Sequence, residues 1–357
     1  MQNNSIVLLS IFTESMIGGV AVHSSNLYDK LVESGVRVEK VDYGKVIAAR
    51  QRGNYLQTFI SFLGLLGRTL RLRFAGHRYF HFHSSNSALP YLLLCLPLYL
   101  SGAKMMLSLH SGFGFNKWLD HHPVVAKIDG LAFRLLEALI FMNPEESAAV
   151  SGRYPHLRDR IVTINPYIAP KSSVIPHRSD HPTGNTFVVS TIGAWGKRYN
   201  VQEAVRGALQ FHRKHGVPVR VNVIQSTALV EPDYRERTLA EFEEYRSEID
   251  VELYENTSEI LKILAGSDVF IRSSLGDSYG LCVAESLLVG TPAIVTDICR
   301  RCNASMLYDP GDYEQMLQYL EQVYADKVAG RRHDNLLDAE EDAFNNYVEL
   351  YRRKFAV

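Results

Sequence analysis

Cysteine is scarce: the 357 residues hold four, Cys95, Cys282, Cys299 and Cys302. They stand mostly in apolar segments, which argues against a disulfide framework and for a reducing cytosol. Cys299 and Cys302 have C-x-x-C spacing, but no second pair follows to complete the four ligands of a structural zinc site. A long apolar run is also missing. The longest, ALPYLLLCLPLYL (88–100), contains two prolines and falls short of the ~20 residues of a membrane span. MQNNSIVLLS places no basic residue before its apolar run, so it does not read as a secretory leader. Tandem repeats and low-complexity tracts are absent, and no metal-ligand pattern stands out.

What is present is an ordinary globular composition, 46% hydrophobic and 22% charged, at a length that fits two domains. The net charge of −1 hides a split. Residues 1–170 hold 17 Lys and Arg against 11 Asp and Glu, whereas residues 171–357 hold 21 against 28. A basic half joined to an acidic half points to different partners for the two.

SIVLLSIF (5–12) is a continuous apolar run, as in a buried parallel strand. Gly18-Gly19, a helical stretch over 20–34, Gly35 as its stop and VRVEKVDY (36–43) complete a strand–helix–strand unit. YFHFHSS (79–85), a helical run to about 101 and KMMLSLHS (104–111) repeat the pattern, as does LIFMN (139–143) before EESAAVSGRY. The segment 160–186 carries four prolines and reads as an interdomain linker. A second series follows, from TFVVSTIGAW (186–195) to PAIVTD (292–297), and the chain closes in helices. The expected organisation is an N-terminal domain over 1–170, a linker over 171–185 and a second domain over 186–335. A C-terminal helix over 336–357 can pack back on the first domain. Two such series mean two doubly wound parallel-sheet domains, with ligands beyond the carboxyl ends of the strands and, for a facing pair, in the interdomain cleft.

GDSYGLCVAE (276–285) spaces two acids unusually. DVFIRSS (268–274) is a strand, GDSYG the turn and LCVAESLLVG the next helix. Asp277 then stands just before a helix N-terminus, whose free amides favour an anion. Glu285 lies eight residues on, ~12 Å along a helical rise. One small hydroxyl ligand cannot occupy both acids. A nucleotide diphosphate sugar can, with its sugar at Asp277, its diphosphate at the turn amides and its ribose at Glu285. A carboxylate suits both ends because it accepts from two neighbouring hydroxyls. The plainer alternative is a helix cap and a solvated helix acid.

The stretch RSSLGDSYGLCVAESLLVGTPAIVTD (272–297) resembles the signature of family 4 retaining glycosyltransferases, the group 1 glycosyltransferases with the GT-B fold. The resemblance implies an α/β architecture of two Rossmann-like, doubly wound parallel-sheet domains facing across a cleft. It implies that Asp277 meets the donor sugar, that the backbone of Ser278, Tyr279, Gly280 and Leu281 meets sugar and phosphate, and that Glu285 binds the ribose. Gly18-Gly19-Val20-Ala21 resembles the family's N-terminal glycine loop, whose backbone approaches the diphosphate. Ser108-Leu109-His110-Ser111-Gly112 resembles the strand whose terminal His contacts the donor sugar, and Asn165-Pro166-Tyr167-Ile168 the segment entering the linker.

Three positions depart from the pattern. Asp277 replaces the usual Glu and shortens the reach by a methylene. Where the family reads Gly-Arg, four residues, then Lys, IGAWGKRYNV places Ala194 and Tyr199. Lys197 and Arg198 lie between them and are expected to supply the phosphate-neutralising charge from a shifted loop.

By this resemblance His110, Asp277, Lys197 and Arg198 are the candidate catalytic groups, and Gly18, Gly19, Ser278, Tyr279, Gly280, Leu281 and Glu285 the donor-binding ones. The implied activity is retaining transfer of a hexosyl group from a UDP- or GDP-sugar to a hydroxyl of a glycan acceptor, lipid-linked, in cell-surface polysaccharide synthesis. No metal, other cofactor or nucleic-acid partner is expected. The base contacts are expected near Tyr254-Glu255-Asn256. The segment 54–78 places Leu56, Phe59, Ile60, Leu63, Gly67 and Leu70 on one helical face and ends in Arg68, Arg71, Arg73 and Arg78. That suits an anionic membrane surface, and equally a buried domain helix with a basic edge. The expected location is the cytoplasm, with a peripheral place on the cytosolic face of the inner membrane. Plain structural readings stay open for Gly18-Gly19 as a turn, His110 as a strand-end residue and Lys197-Arg198 as a solvated loop. His81 and His83 share a strand face and could hold a metal or pack. Two rival functions remain: a GT-B nucleotide-sugar epimerase or hydrolase, and a non-catalytic nucleotide-sugar-binding scaffold, the latter suggested by Ala194 and Tyr199.

Overall fold

In the computed structural model the described residues are 3–16, 18–84, 89–111, 119–168, 184–255, 257–331, 335–337 and 343–355. The chain divides into two units, residues 1–169 with 341–357, and residues 170–340. Of the expected linker over 171–185, only residues 184 and 185 fall within the described residues.

The first unit is built on six parallel strands. They are β1 (Asn3–Ser10), β2 (Val38–Asp42), β3 (His77–Ser84), β4 (Lys104–Leu109), β5 (Ala138–Phe141) and β6 (Ile161–Thr163), ordered β2-β1-β3-β4-β5-β6. The order reverses between β1 and β3, which pair in register from Ile6↔Tyr79 to Leu9↔Phe82. Strands covered on both faces read as unbroken apolar runs, and Ile6 to Leu9 are all buried. β6 corrects the expectation that 160–186 is all linker, because Ile161 pairs with Leu139 at the sheet edge. Around this sheet lie α1 (Gly19–Glu33), α2 (Gly44–Gln51), α3 (Tyr55–Phe74), α4 (Leu89–Leu100), α5 (Pro123–Arg134) and α6 (Pro144–Arg153). The chain's last helix, α12 (Ala343–Phe355), belongs to this unit and buries Tyr347, Tyr351 and Phe355. Phe355 stacks on Tyr79 with ring centres 5.0 Å apart.

The second unit has β7 (Phe187–Trp195), β8 (Val219–Val230), β9 (Asp250–Glu255), β10 (Val269–Arg272), β11 (Ala293–Thr296) and β12 (Met306–Tyr308). Their order is β12-β11-β10-β7-β8-β9, again all parallel, with the reversal between β7 and β10. Its helices are α7 (Val201–His215), α8 (Pro232–Tyr245), α9 (Ile260–Ala265), α10 (Leu281–Leu288) and α11 (Tyr313–Val328). Asn200 starts α7 at φ 46 and Gly216 ends it at φ 67. Both are left-handed positions, which Gly and Asn occupy at least cost. Each unit thus puts a topological switch point at the carboxyl edge of its sheet, where doubly wound folds bind ligands.

Candidate functional site

In the second unit the loops after β7 and β10 meet at the switch point. Leu275 N–H donates to Arg198 O at 2.7 Å, and Arg198 Nε donates to Gly276 O at 2.7 Å. A side chain at Gly276 would collide with Arg198, since an added Cβ would lie 2.9 Å from its Nε. The structure therefore brings Arg198 onto the turn carrying Asp277. Lys197, its neighbour, is exposed, and its amide stands 3.5 Å from Glu231 Oε2.

Asp277 is held from within the protein. Its Oδ2 accepts from Arg272 Nε at 3.1 Å and from Arg301 Nη1 at 3.0 Å, and its side chain is 13% exposed. Burial alone would raise this carboxyl, but the two guanidinium charges overcome that and hold it well below the usual carboxylate range. Its Oδ1 accepts the Ser278 amide at 3.0 Å. Arg301 also donates to Tyr279 O at 3.0 Å. Arg272 donates to Ile192 O at 2.5 Å and lies over the Tyr199 ring, 5.2 Å from its centre. Tyr199, one of the three departing positions, thus packs on one of the two arginines that neutralise Asp277.

Gly280 opens α10 at φ 86, and an added Cβ would lie 2.5 Å from Arg301 Nη1. Only glycine gives that backbone and lets the arginine pass. Leu281 is the first residue of α10, and Glu285 lies in its second turn, partly buried. Tyr279 is buried, and its Oη accepts from Cys302 Sγ at 3.4 Å. Tyr254 Oη donates to Glu252 at 2.5 Å and Glu255 pairs with Arg235 at 3.1 Å, whereas Asn256 lies outside the described residues.

In the first unit Gly18 caps α1 in an extended conformation, and Gly19 has open space where a side chain would be. His110 follows β4, and its amide donates to Ser84 O at 2.6 Å. Its Nε2 is hydrogen-bonded to His83 Nδ1 at 3.0 Å. Gly112 lies outside the described residues. Sequence reasoning missed Arg272 and Arg301 as counter-ions of Asp277, and His23 as a neighbour of His83 and His110. A charged residue inside the apolar strand DVFIRSS was the one available signal, since a buried charge demands a partner.

Six parallel strands in each unit, doubly wound, make this the GT-B fold. Solved structures with that architecture match the chain over its length. Sucrose-phosphate synthase from Thermosynechococcus elongatus is 14% identical, with a TM-score of 0.71 and 100% of both chains covered. The α,α-trehalose 6-phosphate synthase of Burkholderia multivorans is 14% identical with a TM-score of 0.71, covering 100% of this chain and 99% of that one. HepE of Anabaena, solved in complex with UDP and glucose, is 13% identical with a TM-score of 0.64 over 98% and 95% of the two chains. No protein-family model matches the chain, and no curated protein does.

Proposed function

We propose that the protein is a retaining glycosyltransferase of the family 4 type, moving a sugar from a UDP- or GDP-sugar to a glycan hydroxyl. One observation carries this reading. The GDSYG turn stands at a switch point where one buried carboxylate meets two arginines and a third arginine lies alongside. Cations in excess beside the first turn of a helix suit a diphosphate. The fold neighbour HepE, solved with UDP and glucose, supports the same class of ligand here.

In this reading Lys197 and Arg198 neutralise the departing diphosphate together with the amides of Tyr279 to Leu281, the Ser278 amide being given to Asp277 Oδ1. Glu285 accepts the ribose hydroxyls. Asp277 meets the sugar through Oδ1, which also accepts the Ser278 amide, its other oxygen being taken by the arginines. The acceptor oxygen bonds to the anomeric carbon on the face from which the phosphate leaves. The carbon–phosphate-oxygen bond breaks, and the hydroxyl proton passes to the leaving phosphate. These cations are proposed to serve in place of a metal or other cofactor at the transfer step.

The acceptor is proposed to be lipid-linked and met at a membrane surface on the cytosolic side, in cell-surface polysaccharide synthesis. α3 carries this part. Phe62, Leu65, Leu66 and Leu70 pack inward on the core, while Leu56, Phe59, Ile60 and Leu63 remain 71, 59, 52 and 48% exposed. Residues 43–119 contain nine Lys and Arg and no Asp or Glu. Exposed apolar side chains within a basic, acid-free stretch of sequence fit an anionic lipid surface. Among the described residues no helix is long and apolar enough to cross a membrane.

The test is a thermal-shift and calorimetric screen of UDP, GDP, ADP and their common sugars on the wild type and on Glu285→Ala. One nucleotide at 100 times its dissociation constant should add ~2.7 kcal/mol of stability, with a much weaker response in the variant. No response to any nucleotide would end the donor-site reading. Tight binding without turnover on any acceptor would favour the scaffold instead.

A further inference from the structure

Four histidines gather in the first unit, and the sugar-transfer reading uses only His110. His81 and His83 come from β3, His110 follows β4, and His23 projects from α1. His81 has both nitrogens engaged, Nδ1 with Tyr351 Oη at 2.7 Å and Nε2 with Ser108 Oγ at 2.8 Å. The other three form a nearly equilateral triangle. Their ring centres are 5.3 Å (His23 and His83), 5.0 Å (His23 and His110) and 5.2 Å (His83 and His110) apart. One nitrogen from each lies within 4.8 Å of the other two. His83 Nε2, fully buried, has no hydrogen-bond partner among the described residues.

We propose that His23, His83 and His110 together bind one divalent transition-metal ion of the zinc type. Tetrahedral coordination at a metal–nitrogen distance of about 2.0–2.1 Å sets three imidazole nitrogens about 3.3 Å apart and their ring centres about 5 Å apart. The ring centres already have that spacing, so loading needs small rotations of the rings. The hydrogen between His83 Nδ1 and His110 Nε2, 3.0 Å apart, occupies a place the cation can take. Burial depresses all three groups below their ordinary value, His23 to about 4, so the rings are neutral near pH 7, as ligation requires. Imidazole ligands select zinc, cobalt or nickel over magnesium and calcium, which prefer oxygen. His23 is the weakest of the three ligands. Its Nδ1 accepts the Tyr167 amide at 3.0 Å, and loading gives up that bond by either route: Nδ1 exchanges the amide for the metal, or the ring hydrogen moves from Nε2 to Nδ1 so that Nε2 can ligate.

The experiment strips the full chain with a chelator and titrates it with cobalt, then zinc, following the visible band of tetrahedral cobalt and the heat of binding. One equivalent of cobalt should bind and be displaced by zinc, with no comparable binding of magnesium. His83→Ala should abolish the band and His110→Ala should weaken binding at least tenfold. His121→Ala with His122→Ala, both exposed, should change nothing. His83→Gln guards against a folding loss: its circular dichroism should match the wild type while the band is gone. No stoichiometric band, binding that survives His83→Gln, or binding lost with His121 and His122 would each overturn the site. The proposal does not rest on the sugar-transfer reading, and nucleotide stabilisation of the His83→Gln protein reports on that reading separately.

Discussion

Asp277 has a structural task that does not depend on any chemistry. Its carboxylate opposes two guanidinium groups in the interior, and removing one partner of a buried pair costs more than the pair itself contributes. Asp277→Asn should therefore destabilise the ligand-free protein by about 3–5 kcal/mol, read from urea unfolding. A carboxylate that only touched sugar would leave that midpoint unchanged, so a loss below ~0.5 kcal/mol would rule the structural role out. The pH dependence has a definite sign. Because the folded carboxyl is held below its unfolded value near 3.8, its contribution is complete above that pH and is lost as the pH falls through and below it. The Asp277→Asn protein should lack that part of the acid loss. The acid was legible in GDSYG because the turn and helix start are local features. Its second counter-ion was not, because Arg301 stands 24 positions away after a different strand and only the sheet order brings the loops together.

At the scale of elements, legibility followed periodicity and length. β1, β3, β4, β7 and β10 are legible as apolar runs, and α3 as a helix, but its expected single face is split: Leu70 packs inward with Phe62, Leu65 and Leu66, while Leu56, Phe59, Ile60 and Leu63 stay exposed. β6 and β12 are three residues each at sheet edges and carry too short a pattern to read. α2 and α8 lie in polar stretches with little apolar period and were not anticipated. The alternation in YFHFHSS is legible as a strand, but nothing local pairs His81 with Tyr351, 270 positions distant in the chain. That pairing shows what α12 does for the first unit. Tyr351 satisfies a histidine that is completely buried, so Tyr351→Phe leaves one ring nitrogen without a partner. The variant should unfold about 1–3 kcal/mol more easily, measured by denaturant titration. An unchanged midpoint would mean that the hydrogen bond adds nothing beyond the packing that phenylalanine preserves.

For the whole molecule, a net charge of −1 predicts indifference to anionic lipid, but the charge is not spread evenly. The acidic excess is in residues 171–357, while the acid-free stretch 43–119 carries the exposed face of α3. Attraction to a surface is set by the charge within about a Debye length, ~10 Å at 0.1 M salt, rather than by the sum over the chain. The protein should therefore co-sediment with vesicles containing phosphatidylglycerol and not with purely zwitterionic ones. Raising salt to 1 M, where the Debye length is ~3 Å, should weaken binding sharply without abolishing it, because the apolar contribution is not screened. Replacing Leu56, Phe59, Ile60 and Leu63 together by serine should remove that salt-resistant remainder. Replacing Arg50, Arg52 and Arg71 by glutamine should remove the salt-sensitive part. Both sets face solvent or lie near it, so the folded midpoint should move little, and nucleotide binding by the second unit should be unchanged. Equal binding to charged and neutral vesicles, or full binding by the serine variant, would show that α3 is a domain helix with a basic edge and nothing more.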